Sequence, residues 1–381
     1  MVSSQNPREA NMRIKAAVVR SYKEPISVEE IELDPPKDGE ILVKTKYTGF
    51  CHSDFSFIAG RLGFPTPFVP GHEASGIVVD VGPNVKNFKK GDHVIATWMI
   101  ACGRCKNCVS GRAYICTTSH MLHSKGSLLD GTSRLRDLKG ERLNHIVFVS
   151  GFADYMVIPE EGAVKIADDF PLDEACLLGC CIPTGFGAVF NVANVKPGDS
   201  VAIWGMGGVG LNVVQGARLR GAMPIIGVDI EGSKERIARQ FGVTHFIDSS
   251  KEDPVPIIQE LTGGGADFCF EVIGDPGAQL QAYWSLAIGG KLILIGLTHY
   301  QETSALPVYY TPIHNKDILG VMYGNIRTHV DIPKLADLIR DGRYISPKHL
   351  ITKKFKLEEI NDVYRTMAQN KIIGRWVCEF E

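Results

Sequence analysis

The sequence predicts an α/β chain in which a doubly wound parallel sheet is inserted into an irregular β-rich unit. Three observations predict this. Short β-prone runs broken by glycine and proline fill the first half. A strand, glycine turn and helix pattern then repeats from about residue 183 to 320, and helix-like spacing followed by one more strand closes the chain. The 381 residues, 44% hydrophobic and 22% charged, are enough for two domains with sizeable cores.

In chain order, Met1 to Ala16 are polar and mixed in charge, without the apolar centre that a secretory signal carries. They are expected to be a disordered tail, or to lie upstream of a start at Met12. From about Ile14 to Cys181 the β-prone runs include Ile41-Leu42-Val43 and Gly76-Ile77-Val78-Val79. The expected division is residues 1–182, an insert over 183–322, and a return to the first part over 323–381. Within the insert, Val201 to Trp204, Pro224 to Val228, Ala266 to Ile273 and Leu292 to Ile295 are apolar without alternation. Strands covered on both faces of a parallel sheet require that pattern. Ile332 to Ile339 and Leu357 to Met367 carry helical spacing, and Arg375 to Phe380 reads as the last strand.

Charge narrows the partners. A net charge of -2 and a pI near 6.6 give no basic surplus for nucleic acid or an anionic membrane. Apolar runs such as Lys291 to Leu297 are far too short to span a bilayer. A soluble cytoplasmic protein acting on a small molecule is expected. Its 10 cysteines, clustered in a long chain, point to metal or catalysis rather than to disulfides.

The run Val201 to Trp204 leads directly into Gly205-Met206-Gly207-Gly208-Val209-Gly210, and an amphipathic stretch follows. The first glycine makes the tight turn and the next lets backbone approach a pyrophosphate. The last allows close helix–strand packing, and the helix N-terminus supplies N–H donors. A second apolar run ends in Asp229, 19 residues past Gly210. Its carboxylate would accept from ribose hydroxyls and repel a 2′-phosphate, so NAD is expected, with NADP as the alternative if Lys234 or Arg236 serves a phosphate.

Two thiol sets suggest metal. Cys102, Cys105, Cys108 and Cys116 form a lobe at about residues 100–118. Gaps of two bring neighbouring thiols to one tetrahedral centre, and a complete Cys₄ set leaves no open position, as in a structural zinc site. An iron–sulfur run has a different last gap and a following proline. The second set is dispersed: Cys51, His72 and Cys180. Singly each is unremarkable, since buried cysteines and core histidines are common. Together two thiolates and one imidazole would balance a zinc ion and leave a fourth position for water or substrate.

At this point the residues resemble the zinc-containing medium-chain alcohol dehydrogenase family. The landmarks are Cys51-x-Ser53-Asp54, Gly71-His72-Glu73, the four-cysteine lobe, Cys180, the glycine turn with Asp229, and Gly374-Arg375. They run from about Val18 to the C-terminus. Asp130 to Arg134 and Phe152 to Tyr155 are similar to the longer-chain branch, which holds animal and plant alcohol dehydrogenases and glutathione-dependent formaldehyde dehydrogenases.

The resemblance implies a GroES-like catalytic domain with a Rossmann coenzyme domain, and a homodimer, with a tetramer as the alternative. It implies two zinc ions per chain and reversible hydride transfer between an alcohol and its aldehyde or ketone. Cys51, His72 and Cys180 are then the ligands of the catalytic zinc, with Asp54 and Glu73 around them and Asp54 orienting His72. Ser53 binds the substrate hydroxyl and begins the proton relay. Thr184 and Leu297 lie along the cofactor, His52 and Arg375 neutralise its pyrophosphate, and Lys234 sits by the adenosine ribose.

One position departs from the pattern. Relatives often carry a histidine two residues after Asp54, where this chain has Ser56. The relay beyond Ser53 would then use the ribose and water, or His52. Trp98 is expected to wall the substrate pocket, with Phe50, Phe55, Leu62, Phe64, Phe148 and Leu297 as further lining. Arg61 could meet a carboxylate tail, which would make the substrate a semialdehyde such as succinic semialdehyde. Branch membership alone adds S-(hydroxymethyl)glutathione. A catalytically retired binding protein, or a zinc-free reductase of double bonds, would not need the zinc trio intact.

Overall fold

The structure, a computed structural model, describes residues 11–22 and 24–381. Its β-rich part is built on the strand Glu40–Gly49, which buries Ile41, Val43 and Thr45 on one face by simple alternation. Antiparallel partners flank it: Glu73–Val81, Tyr155–Pro159 and, from the far end of the chain, Arg375–Glu379. A second sheet of five strands includes Met12–Val18 and Ser27–Leu33.

The expectation of a disordered tail through Ala16 is corrected here. Met12 to Val18 pairs residue by residue with Leu33 to Ser27. Ile14, Ala16 and Val18 point inward and are buried, a period-2 pattern that marks a strand. The part of that expectation on residues 1–10 lies outside the described residues.

The insert is a six-stranded sheet, parallel throughout. Its order is His245–Asp248, Ile225–Asp229, Val201–Trp204, Ala266–Glu271, Leu286–Leu294, Asp317–Gly320. Counted within the sheet this is 3-2-1-4-5-6, the doubly wound order in which two mononucleotide halves meet between the first and fourth strands. Ala266–Glu271 stops two residues short of the expected Ile273, because the Glu271 carboxylate takes the amides of Ile273 and Gly274 out of the ladder.

Helix Gly208–Leu219 starts at the end of the first strand of this sheet and buries Leu211, Val213, Val214 and Ala217. Helix Cys181–Gly187 crosses it closely: a Cβ at Gly185 would lie 2.6 Å from the Val209 carbonyl oxygen. No single helix among the described residues is long and apolar enough to cross a membrane. Leu172–Gly179 and Cys181–Ala193 reach that composition only as a pair bent by 51°.

Candidate active site

Cys51 is the residue before helix His52–Ile58, with extended backbone, so its thiol stays at the mouth of the helix. The acid of the first turn, Asp54, reaches back: its Oδ2 accepts from the Cys51 N–H at 3.1 Å and its Oδ1 from the Gly71 N–H at 3.0 Å. The same Oδ1 lies 2.9 Å from His72 Nδ1. A carboxylate only accepts, so Nδ1 carries the proton and Nε2 is left as a lone-pair donor, the tautomer that a metal needs.

Cys180 joins this pair from the end of the turn Cys176–Gly179. One ligand atom each from Cys51, His72, Glu73 and Cys180 lies within 4.8 Å of the others, and all four residues are buried. The contact with Cys180 is the main reason that the Cys51 thiol is held well below its ordinary pKa; the Arg375 charge and His72 add to it, against desolvation. Burial pushes the Glu73 carboxyl up to about 7, against the pull of Arg375. Two sulfur donors and one oriented imidazole converge on a single point, and the carboxylate beside them, Glu73, is engaged by Arg375, which fits a zinc ion with a place to spare.

The other set also converges. Cys102, Cys105, Cys108 and Cys116 place their sulfurs within 4.8 Å of one another. The Cys105 and Cys116 sulfurs are 4.0 Å apart, near the roughly 3.8 Å that two thiolates keep across a tetrahedral zinc. Backbone amides of Cys102, Cys105 and Cys108 point at the sulfurs of Cys116, Cys102 and Cys105. Hydrogen bonds, with that of Thr118 foremost, lower Cys102 to about 7. The Cys108 amide, then Thr117, lower Cys105 to about 5. Four sulfurs converging on one point, with no other donor needed, fit a closed, structural site.

Cys51 and Cys180 open onto a cavity of about 580 Å³, and the glycine turn lies along its other wall. Every residue expected to hold the cofactor lines it: His52, Thr184, Gly205, Gly207, Gly208, Val209, Gly210, Asp229, Lys234, Leu297 and Arg375. Asp229 accepts from the Met206 and Glu231 amides at 2.7 and 3.0 Å, and from Lys234 Nζ at 3.1 and 3.0 Å. Arg236 is exposed and outside the cavity.

Arg375 is placed between the two halves. Its Nη2 meets Glu73 Oε1 at 2.9 Å and Cys51 Sγ at 3.4 Å, while a Cβ on Gly208 would come within 2.8 Å of its guanidinium carbon.

Of the expected substrate wall, Ser53 and Trp98 line the cavity and Phe55 and Leu62 do not. Helical spacing explains this. Ser53 and Ser56, three apart, face the cavity, and Phe55 turns toward Tyr364, with ring centres 5.0 Å apart. Phe50, Phe64 and Phe148 are core residues. The Arg61 guanidinium lies 5.0 Å over the Phe55 ring and is likewise off the cavity, so it offers nothing there to a carboxylate tail.

Residues 37–168 match the alcohol dehydrogenase GroES-like domain and residues 208–341 match the zinc-binding dehydrogenase domain. The chain belongs to the zinc-binding alcohol dehydrogenase family. It is 37% identical over 377 residues to alcohol dehydrogenase-like 2 of Arabidopsis thaliana, covering 95% of each chain. With S-(hydroxymethyl)glutathione dehydrogenase of Paracoccus denitrificans it shares 37% over 372 residues, 95% of this chain and 98% of that one. Among solved structures, benzyl alcohol dehydrogenase from Acinetobacter calcoaceticus superposes with a TM-score of 0.90 at 33% identity, covering 97% of this chain and 100% of the other.

Within this family frame, Tyr323 stands out as a wall residue the sequence did not flag. Its ring packs 4.4 Å from that of Trp98, which in turn stands edge-on to His72 at 6.4 Å. Tyr323 sits where the insert gives way to the return segment, and no periodicity marks it. Ser56 is the second addition, on the helix face already set by Ser53.

Proposed function

We propose that this chain oxidises an uncharged alcohol to its aldehyde or ketone, and runs the reverse reaction, with NAD and a catalytic zinc ion. The observation that carries this is the opening of Cys51 and Cys180 onto the same cavity as the Gly205–Gly210 turn. Cys51, His72 and Cys180 would hold the catalytic ion, and the Cys102–Cys116 lobe a second, structural one. When bound, these groups supply a Lewis acid and a hydride acceptor.

The chain's residues do the positioning. Asp54 fixes His72 in one tautomer, and Arg375 balances the charge of Glu73 beside the ligands. Thr184 and Leu297 would flank the cofactor. Ser53 would accept a hydrogen bond from the alcohol hydroxyl and begin the relay of its proton by passing on its own, with His52 on the same wall as a candidate acceptor. Phe55 and Leu62 are left out of the substrate wall.

NAD is favoured because Lys234, the cation beside Asp229, is already neutralised by it. An uncharged, flat-sided substrate is favoured because Lys234 and Arg375 are both paired with carboxylates, and Trp98 and Tyr323 are the large rings at the zinc end. S-(hydroxymethyl)glutathione remains the second reading, on the strength of the Paracoccus denitrificans relative.

The division at residues 182 and 322 is supported by the pairing of Arg375–Glu379 with Glu40–Gly49 across the insert. A homodimer is supported by Ile288, Val308, Tyr309 and Ile313, at 63–83% exposed, near the outer strand Asp317–Gly320. Ten free thiols suit the reducing cytoplasm.

The test is metal analysis of purified protein combined with an NAD-reduction screen of benzylic, aliphatic and glutathione-adduct alcohols. Two zinc ions per chain with turnover of benzylic or aliphatic alcohols is expected. Protein that carries zinc yet reduces neither NAD nor NADP with any of them would overturn the reading.

A further inference from the structure

Glu271 ends the strand Ala266–Glu271, is fully buried, and touches neither metal-ligand set. A buried carboxylate is costly unless it is satisfied. Here Oε1 accepts from the Ile273 amide at 2.6 Å and from the Gly274 amide at 2.7 Å. Burial raises its pKa, and the amides of Gly274 and Ile273, with Gln279 and Asp275, oppose that rise. The backbone carbonyl of the same residue accepts from the Ile295 and Gly296 amides at 2.9 and 3.1 Å.

These two sets of bonds lead to two adjoining stretches of the wall of one cavity, Val272 with Ile273 and Gly296 with Leu297. The two stretches meet without slack: a Cβ on Gly296 would lie 2.0 Å from the Gly274 nitrogen, and Gly274 has φ of +82°. Released from Glu271, the Ile273–Gly274 turn has no other side chain among the described residues fixing those two amides.

Sheet order says which part of the cofactor this serves. Asp229, on the strand next to Val201–Trp204, marks the adenosine side. Ala266–Glu271 lies on the opposite side of Val201–Trp204, under the second mononucleotide half.

We infer that Glu271 is a positioning residue for the nicotinamide half of the cofactor, acting through the Ile273–Gly274 backbone; this rests on the NAD reading given above. The turn sets how deeply the nicotinamide nucleotide can seat against Leu297. Its distance from the substrate at the Cys51–Cys180 end follows from that.

The test compares Glu271→Ala, Glu271→Asp and Glu271→Gln in the full-length, zinc-loaded enzyme. It measures KM for NAD, kcat, and inhibition by ADP, which probes the adenosine half alone. Glu271→Ala, and Glu271→Asp with its shorter reach, are expected to raise KM for NAD or lower kcat by on the order of tenfold, since a displacement of an ångström at a reacting centre costs that much or more. ADP inhibition should stay within about twofold of the parent enzyme, as RT-scale changes do. Glu271→Gln, which keeps an acceptor oxygen, should stay close to the parent in all three.

Equal weakening of NAD and ADP would show a general loss of fold and overturn the inference, and so would unchanged kinetics in Glu271→Ala and Glu271→Asp. Should Glu271→Ala fail to fold, Glu271→Asp and Glu271→Gln carry the comparison. A parent enzyme that binds ADP but turns over no alcohol would instead sink the functional reading itself.

Discussion

Arg375 and Glu73 form an ion pair at 2.9 Å in which the side chains are only 5% and 0% exposed. Glu73 takes a second bond from the Cys181 amide at 3.1 Å. The arginine thus holds a carboxylate that would otherwise be an uncompensated charge beside Cys51. Replacing Arg375 with leucine is expected to cost about 3–5 kcal/mol of stability, the usual penalty for stranding one partner of a buried pair. Chemical denaturation checks this. A loss below about 1 kcal/mol would show that the pair behaves like a surface contact.

Removing a ligand of the proposed catalytic ion should separate binding from chemistry. Cys51→Ser and His72→Ala are expected to abolish turnover while NAD still binds, as read by calorimetry. Full activity in a variant shown to be zinc-free would refute the assignment. Asp54→Ala leaves all three ligands in place and removes only the partner of His72 Nδ1. A fall in zinc affinity of about 10–100-fold is expected there.

The four-cysteine lobe should behave differently. Cys108→Ala is expected to lose one zinc per chain and to lower the unfolding midpoint, while kcat per folded molecule is nearly kept. Loss of kcat without loss of stability would assign that lobe a part in the chemistry.

Asp229→Gly acts on two groups at once, because the aspartate both faces the cavity and neutralises Lys234. The variant frees an ammonium where a 2′-phosphate would sit. KM for NAD is therefore expected to rise while KM for NADP falls. A parallel rise for both cofactors would remove Asp229 from the ribose.

A buried histidine, His145, and a half-buried one, His123, weaken the fold in acid. Burial lowers His145 to about 3, with the Arg134 and Arg142 charges adding to it. Burial and then His120 lower His123 to about 4. Both are neutral when folded, whereas the unfolded chain protonates each near pH 6.5. Stability should therefore fall as pH drops below about 6.5, by about 1.4 kcal/mol per unit for each group, until the folded form protonates as well. Denaturation curves at pH 7 and pH 5 test this, and His145→Gln should remove its share of the slope.

Much of this architecture was legible because the patterns are local. Gly205 to Gly210 follow one strand and Asp229 ends the strand beside it, so their spacing already encodes their geometry. The four clustered cysteines likewise needed only fifteen residues of chain. Cys51, His72 and Cys180 come from three separate elements, and no period or gap brings them together. That reading came from resemblance. Phe55 was misjudged as pocket lining because hydrophobic character alone does not say which side of a helix it occupies; Ser53 and Ser56 take the open side. Tyr323 and Glu271 carry no motif at all. Their roles arise from what folds against them.

Arg375 reaches Glu73 from 302 positions further along, and the strand that carries it completes the sheet around Glu40–Gly49. The reaction chamber is therefore among the last things this polypeptide can finish. During synthesis the parallel sheet has all its strands well before the guanidinium emerges. Proteolytic clipping just ahead of Gly374 would take away both the guanidinium and the strand between Glu40–Gly49 and Ile351–Phe355, and leave the Glu73 carboxylate unbalanced.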